Sequence, residues 1–296
     1  MNVHSHVLRH PPMSQRFLQP SIISLIGFII LATASWIYIL SDDHSGMANL
    51  FRSETWKGAG SFISQLLGRG DGSTPAFLIW DRWVTTGKLA YETLAMSILA
   101  MGIAGICVTL TFLPATRNLA SGEFAGSRSP IWRPLYLVTR FLFIVTRGIP
   151  ELFIAMMIIF LFSPGMLPGA IALGLHNYGI LGKLSAEVVE NIDPRPARAL
   201  RSSGASMFQM LAYAILPQAL PQFLTYLLYR WEVVIRTTIV VGFVSAGGLG
   251  REFRLNMSFF HYTDITLLLG WYLILVMLVD ISAMGLRRLA RLQDIK

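Results

Sequence analysis

Charge is scarce in this sequence: only 14% of its 296 residues are Asp, Glu, Lys or Arg, where soluble domains carry about a quarter. That shortage argues against a soluble globular enzyme. Cysteine is nearly absent as well. Cys107 is the only one, so no disulfide framework is possible. The sequence also lacks the G-x-x-x-x-G-K-[ST] loop that cradles nucleotide phosphates, although residues 242–250 are glycine-rich. The chain is therefore not itself an ATPase. No Ser/His/Asp set or carboxylate pair is placed for catalysis, and His176 has no second metal ligand at helical spacing, so it reads as a packed histidine. A net charge of +8 is present, but the basic residues flank apolar runs instead of forming one face. Nucleic acid is excluded as a partner.

What remains is apolar length. Hydrophobic residues make up 54% and the mean hydropathy is +0.57. About 20 apolar residues cross a bilayer core, and residues 21–40 and 93–113 are uncharged runs of that size. Residues 152–182 are uncharged too, and Ser163-Pro164-Gly165 with Pro168 splits them into two helices, the first beginning near Leu135. Two more spans are expected at about 218–243 and 263–286. The fold class is all-α, a polytopic membrane protein with six transmembrane helices. Residues 21–40 are too long for a signal-peptide core, and Ser41-Asp42-Asp43 is a poor cleavage site.

Orientation follows the positive-inside rule. Arg9, Arg16, Arg117, Arg128, Arg133, Lys183, Arg195, Arg198, Arg201, Arg287, Arg288, Arg291 and Lys296 fall on one side, against Arg251 and Arg254 in the opposite short loops. Both termini are expected in the cytoplasm. The expected organisation is a tail (1–20), a first span (21–40), an external loop (41–89), a transmembrane domain (90–289) and a second tail (290–296). In the external loop, Trp56, Trp80 and Trp83 suit the membrane interface.

The join between the fourth and fifth spans is long, about residues 183–217. Ala205, Phe208, Leu211, Ala212 and Ile215 recur at helical spacing in it. Asp193-Pro194-Arg195-Pro196 turns the chain, Gly204 separates two short helices, and Pro217 opens the fifth span where its missing N–H costs nothing. Two short helices outside the membrane suit docking of a soluble partner, or an interfacial position on lipid.

Arg198-Ala199-Leu200, Gly204 and Leu216-Pro217 resemble the signature loop of bacterial ABC importer permeases, a Glu-Ala-Ala triplet with a glycine and an Ile-x-Leu-Pro ending. Ala199, Gly204, Leu216 and Pro217 match; Arg198, Leu200 and Ala214 depart. Glu92-Thr93-Leu94, Arg147-Gly148-Ile149-Pro150-Glu151, 172–176, 179–184 leading to Glu187 and Glu190, 216–236 with Tyr229-Arg230-Trp231-Glu232, and 247–250 resemble phosphonate-type permeases. The resemblance covers about residues 92–289. It implies a type I importer permease fold and a coupling loop at about 186–217, carried by Arg198, Ala199, Leu200, Gly204, Ala205, Leu216 and Pro217. It also implies an outer gate at Gly247, Gly248 and Gly250. The implied partners are two copies of an ABC ATPase, a periplasmic or surface substrate-binding protein, a second copy of this chain, and the lipid bilayer. ATP and magnesium belong to the ATPase, and no cofactor is expected here.

Charge inside a bilayer is costly and marks function. On the fifth span Tyr226, Arg230 and Thr237 form one stripe, and Thr225, Tyr229, Glu232 and Arg236 another. Glu232 and Arg236, four apart, could pair on one face. Arg230 has no partner on its own helix face, and its fork suits a phosphonate or phosphate oxyanion. Arg147 and Glu151, also four apart, read as a structural pair. The expected function is the permease of an ATP-driven importer of phosphonate or a related phosphorus oxyanion. Another small anionic solute, such as an amino acid, is the alternative. A membrane enzyme acting on lipid phosphates is remote, for want of clustered Asp, His and Glu.

Overall fold

A computed structural model describes residues 14–41, 46–70, 74–122 and 130–292, and all regular structure among them is helical. Arg9, Asp42, Asp43, Arg128 and Lys296, used above, lie outside the described residues. Two compact units divide the chain at residues 64 and 65. In the first, α1 (Ser14–Ser41) and α2 (Met47–Leu50) lead into α3 (Ser53–Leu66), whose last two residues already belong to the second unit. The apolar stretch of α1, residues 22–41, buries none of its side chains within the chain.

The second unit holds α4 (Trp80–Thr111), α5 (Arg117–Ala120), α6 (Trp132–Gly148), α7 (Glu151–Phe162) and α8 (Met166–Asn191). It continues with α9 (Arg195–Ser202), α10 (Met207–Met210), α11 (Leu216–Val241), α12 (Gly248–Ser258) and α13 (Tyr262–Leu292). Helix α8 is the hub. Sixteen of its 26 residues are buried, because its small residues admit neighbours that a side chain would hold off. A Cβ at Gly174 would press on the Ala100 carbonyl and Ile103 of α4. One at Gly179 would strike Phe143 O, Thr146 and Arg147 N of α6, and one at Gly182 the Phe143 ring. Close backbone approach of this kind is how helices gain dispersion energy in a bilayer, where lipid tails remove the hydrophobic drive between them.

Two helical boundaries differ from the sequence expectation. The third span is not one helix: α6 and α7 meet at 95°. Proline at 150 has no N–H to continue the ladder and pushes the preceding residue out of the helical region, and Ile149 is extended at φ −87°, ψ 125°. The second expected span starts earlier, at Trp80. At about 48 Å for 32 residues, α4 exceeds a bilayer core of about 30 Å, so its charged first turns need not enter lipid.

Among the described residues three helical segments are each long and apolar enough to cross a membrane: Ile22–Ser41, Trp80–Thr111 and Tyr262–Ala290. The α6–α7 pair and the run from Met207 into α12 make five if each bent pair counts as one span. Helix α8 does not meet that measure, since His176, Asn177 and its glycines dilute its hydropathy. A helix packed inside protein has no need to be apolar all round.

Candidate functional site

Arg230 lies about midway along α11. Its Nε donates to Asn177 Oδ1 on α8 at 2.9 Å, and Asn177, 1% exposed, in turn donates through Nδ2 to Leu173 O at 2.7 Å. The buried amide is thus used on both sides, and it takes only the inner nitrogen of the guanidinium. Among the described residues no further hydrogen bond reaches the terminal nitrogens, which form the end of the fork. Next along α11, Trp231 Nε1 donates to Ser97 Oγ of α4 at 3.1 Å, so consecutive residues bolt α11 to two neighbours.

The His176–Glu151 pair sits close by. His176 Nδ1 lies 3.0 Å from Ile149 O and Nε2 lies 3.1 Å from Glu151 Oε2. Both ring nitrogens face acceptors. Glu151 therefore meets His176, across the bend at Pro150, instead of the expected Arg147. His176 is packed, as the sequence suggested.

Two residues of the second stripe, Glu232 and Arg236, reach α13. Glu232 Oε1 meets Arg287 Nη2 at 2.6 Å and Arg236 Nη2 meets Asp280 Oδ2 at 3.1 Å. The first is charge against charge without the alignment of a hydrogen bond, for Glu232 Oε1 accepts none. Glu232 and Arg236 share a face but are each taken by the neighbouring helix, so the pair considered within α11 does not form. Of the first stripe, Tyr226 packs against the core and Thr237 Oγ1 donates back to Val234 O at 3.3 Å.

The glycine-rich turn after α11 is built by close approach. Gly247 and Gly248 hold φ of +99° and +64°, a region that favours glycine. A Cβ at Gly248 would meet Thr93 Oγ1, and one at Gly250 would meet Ile239 O and Gly242 Cα. Thr93 accepts from Leu249 N at 2.9 Å and donates to Leu89 O at 2.9 Å, so the turn is pinned to α4.

The long join carries two short helices, as its spacing suggested. Gly204, at φ +85°, ends α9 with the paired bonds of a Schellman motif, Ala205 N to Leu200 O at 3.0 Å and Gly204 N to Arg201 O at 2.9 Å. Ser206 and Gln209 then form a capping box for α10. Ala197 is buried, while Leu200, Met207 and Leu211 pack partly on the core. Arg198 and Ala199 are exposed. So are Phe208 and Tyr213, at 77% and 75%; the helical spacing of Phe208 marked a helix but not an outward face. Arg195 donates through Nε to both Asp193 oxygens at 3.0 and 2.9 Å, which holds the Asp193 carboxyl below the usual carboxylate range. At the root of the join, Glu190 Oε1 accepts from Arg140 Nη2 at 2.6 Å and from Arg117 N at 2.7 Å, tying α5, α6 and α8 together.

Sequence reasoning missed Asn177 and Asp280. Asp280 is a lone charge inside an apolar helix, and that solitude was the available signal. Among the described residues no group of His, Cys, Asp and Glu could hold a metal ion.

The sequence of residues 119–291 matches the family described as binding-protein-dependent transport system inner membrane component. The chain is 35% identical over 219 residues to the phosphite transport system permease protein PtxC of Stutzerimonas stutzeri, covering 74% of this chain and 75% of that one. It is 32% identical over 204 residues to the phosphate-import permease protein PhnE of Mycolicibacterium smegmatis, covering 69% of this chain and 36% of that longer one. Among solved structures, a chain of the inward-facing MetNI methionine ABC transporter superposes with a TM-score of 0.57 at 18% identity, covering 69% of this chain and 94% of its own. That likeness speaks for the fold. The chain belongs to the family of inner membrane components of binding-protein-dependent transport systems: it is the permease subunit of an ABC importer, a transport subunit that works with an ATPase and a substrate-binding protein.

Proposed function

We propose that this permease carries a phosphorus oxyanion (phosphonate, phosphite or a phosphate ester) and that Arg230 meets the anion in the pathway. The relatives named for phosphite and phosphate transport support the substrate class. The observation that carries the site is the grip of buried Asn177 on Arg230 Nε. It spends one nitrogen on orientation and leaves the terminal pair for two parallel N–H···O bonds to an oxyanion. An anion crossing a low-dielectric region needs such compensation.

In this reading six spans, with α6–α7 as the third and α8 as the fourth, leave both termini in the cytoplasm. The element at 186–217 docks the ATPase through its exposed Arg198, Ala199 and Phe208, and Gly247, Gly248 and Gly250 lie at the outer gate. Two copies of the chain assemble about a two-fold axis with two ATPase subunits. The test is uptake of labelled phosphite and methylphosphonate into proteoliposomes holding the assembled complex. Arg230→Ala should lose uptake by about tenfold or more, the scale of a charge-assisted hydrogen bond. Arg230→Lys, with charge but no fork, should transport weakly. Normal transport by Arg230→Ala, with failure of Arg236→Ala in an intact complex, would overturn the choice of arginine. Uptake of an anionic amino acid in place of both phosphorus compounds would overturn the substrate class.

A further inference from the structure

We infer that α3 lies flat on the membrane, its apolar face seated among the lipid headgroups and upper acyl chains. At 100° per residue, Trp56, Ala59, Phe62, Ile63 and Leu66 fall within one arc of about 120°. Glu54, Lys57, Ser61, Ser64 and Gln65 occupy the opposite side. Thr55 alone of the polar residues falls inside the apolar arc, and its hydroxyl is bonded to Asn49 O; such a division marks a helix that separates water from something apolar. The chain does not supply that apolar surface: no residue of α3 is buried, and Trp56 and Ile63 are 67% and 55% exposed.

Both ends of α3 are tied to membrane-spanning helices, and this identifies lipid as the occupant. At its start, Thr55 Oγ1 donates to Asn49 O at 2.7 Å and Trp56 Nε1 to Leu50 O at 2.9 Å, folding α2 onto its first turn. Only five residues, 42–46, separate α2 from the end of α1, a reach of about 17 Å at full extension. At its far end, Leu66 O accepts from Thr266 Oγ1 in the second turn of α13 at 2.7 Å. A helix about 21 Å long, tethered so closely to span ends, stays at the bilayer surface. Trp80, 77% exposed at the first position of α4, marks the interfacial level where indole rings collect. Arg52 and Lys57, both exposed, suit the phosphates of lipid headgroups.

The inference is independent of the substrate and of which side of the membrane α3 occupies. It is tested in the full transporter complex reconstituted in phosphatidylglycerol–phosphatidylethanolamine vesicles, in a Cys107→Ser background. Single cysteines at Ala59 and Ile63 on the apolar arc, and at Lys57 and Ser61 on the polar arc, take a nitroxide label. Collision with oxygen, which concentrates in lipid, is compared with collision with a nickel chelate, which stays in water. The expected result is a severalfold higher oxygen-to-nickel ratio at 59 and 63 than at 57 and 61. Equal ratios at all four sites would overturn the inference, because the helix would then be solvated. Labels at 59 and 63 shielded from both reagents would overturn it too, since a protein surface would be covering the face. Adding the substrate-binding protein separates the remaining cases. Ratios that stay unchanged support lipid, and loss of oxygen access at 59 and 63 assigns the face to that protein.

Discussion

Helices α1 and α8 have similar lengths, 28 and 26 residues, and opposite surroundings. The span of α1 is strongly apolar and buries nothing within the chain, while α8 is diluted by glycine, histidine and asparagine and is the most enclosed helix of its unit. Gly27 of α1 has open space where a Cβ would stand; Gly179 and Gly182 of α8 have the α6 backbone and the Phe143 ring. Hydropathy thus reports what a helix shows to lipid, and small residues report what it shows to protein. A residue of the same type carries a structural load in one helix and almost none in the other.

The strongest way to break this contrast is to add one methyl to each. Gly179→Ala places a Cβ against α6 backbone atoms that cannot swing aside. The cost should reach the upper part of the 1–3 kcal/mol typical of overpacking, or about that. Gly27→Ala should be neutral or stabilise by up to about 1 kcal/mol, as helical glycine replacements do. The fraction of assembled complex surviving a heat step, read by size-exclusion chromatography, checks both; equal losses would dissolve the contrast. A smaller effect is expected at the C-terminal end of α8. Glu190→Gln keeps the shape but gives up the charge that Arg140 and Arg117 N share, at about 1–3 kcal/mol, visible in the same heat challenge.

The least effect should come from the exposed start of the join between α8 and α11. Asp193 is exposed, and its carboxyl is held below the usual range by the hydrogen bond from Arg195. A depressed carboxylate contributes stability that is present above its unfolded pKa and lost as pH falls through the folded one. The window therefore opens only below about pH 4. Asp193→Asn should leave thermal stability unchanged near neutral pH, and a measurable drop there would mean that this surface pair is stronger than its exposure allows.

Much of the fold was legible because it rests on local chemistry. Gly204 ends a helix through its left-handed φ, Pro217 opens one, and uncharged runs place most of the long helices. Less was legible where a distant partner decides the outcome. The 95° bend falls in a run apolar enough to pass as one span; Pro150 marks a break there, but the contacts of His176 with Ile149 O and Glu151 across it are made by a distant helix. Glu232 and Arg236 have the spacing of a pair within one helix, but such a pair is worth only about 0.2–0.5 kcal/mol. Opposite charges on α13 outcompete it. Asn177 carries no charge and so raised no signal, though it orients the arginine that the sequence did single out.

The two ion pairs between α11 and α13 work as a vernier. Their teeth are cut four residues apart on one helix and seven apart on the other, positions 232 and 236 against 287 and 280. Unequal spacing means that a slip of one helical turn, about 5.4 Å, aligns no tooth with a new slot: Arg236 moves away from Asp280 in the same stroke that strips Arg287 from Glu232. The two helices accordingly have one register and no neighbouring one. A displacement of α11 along its axis is thus resisted at both pairs together.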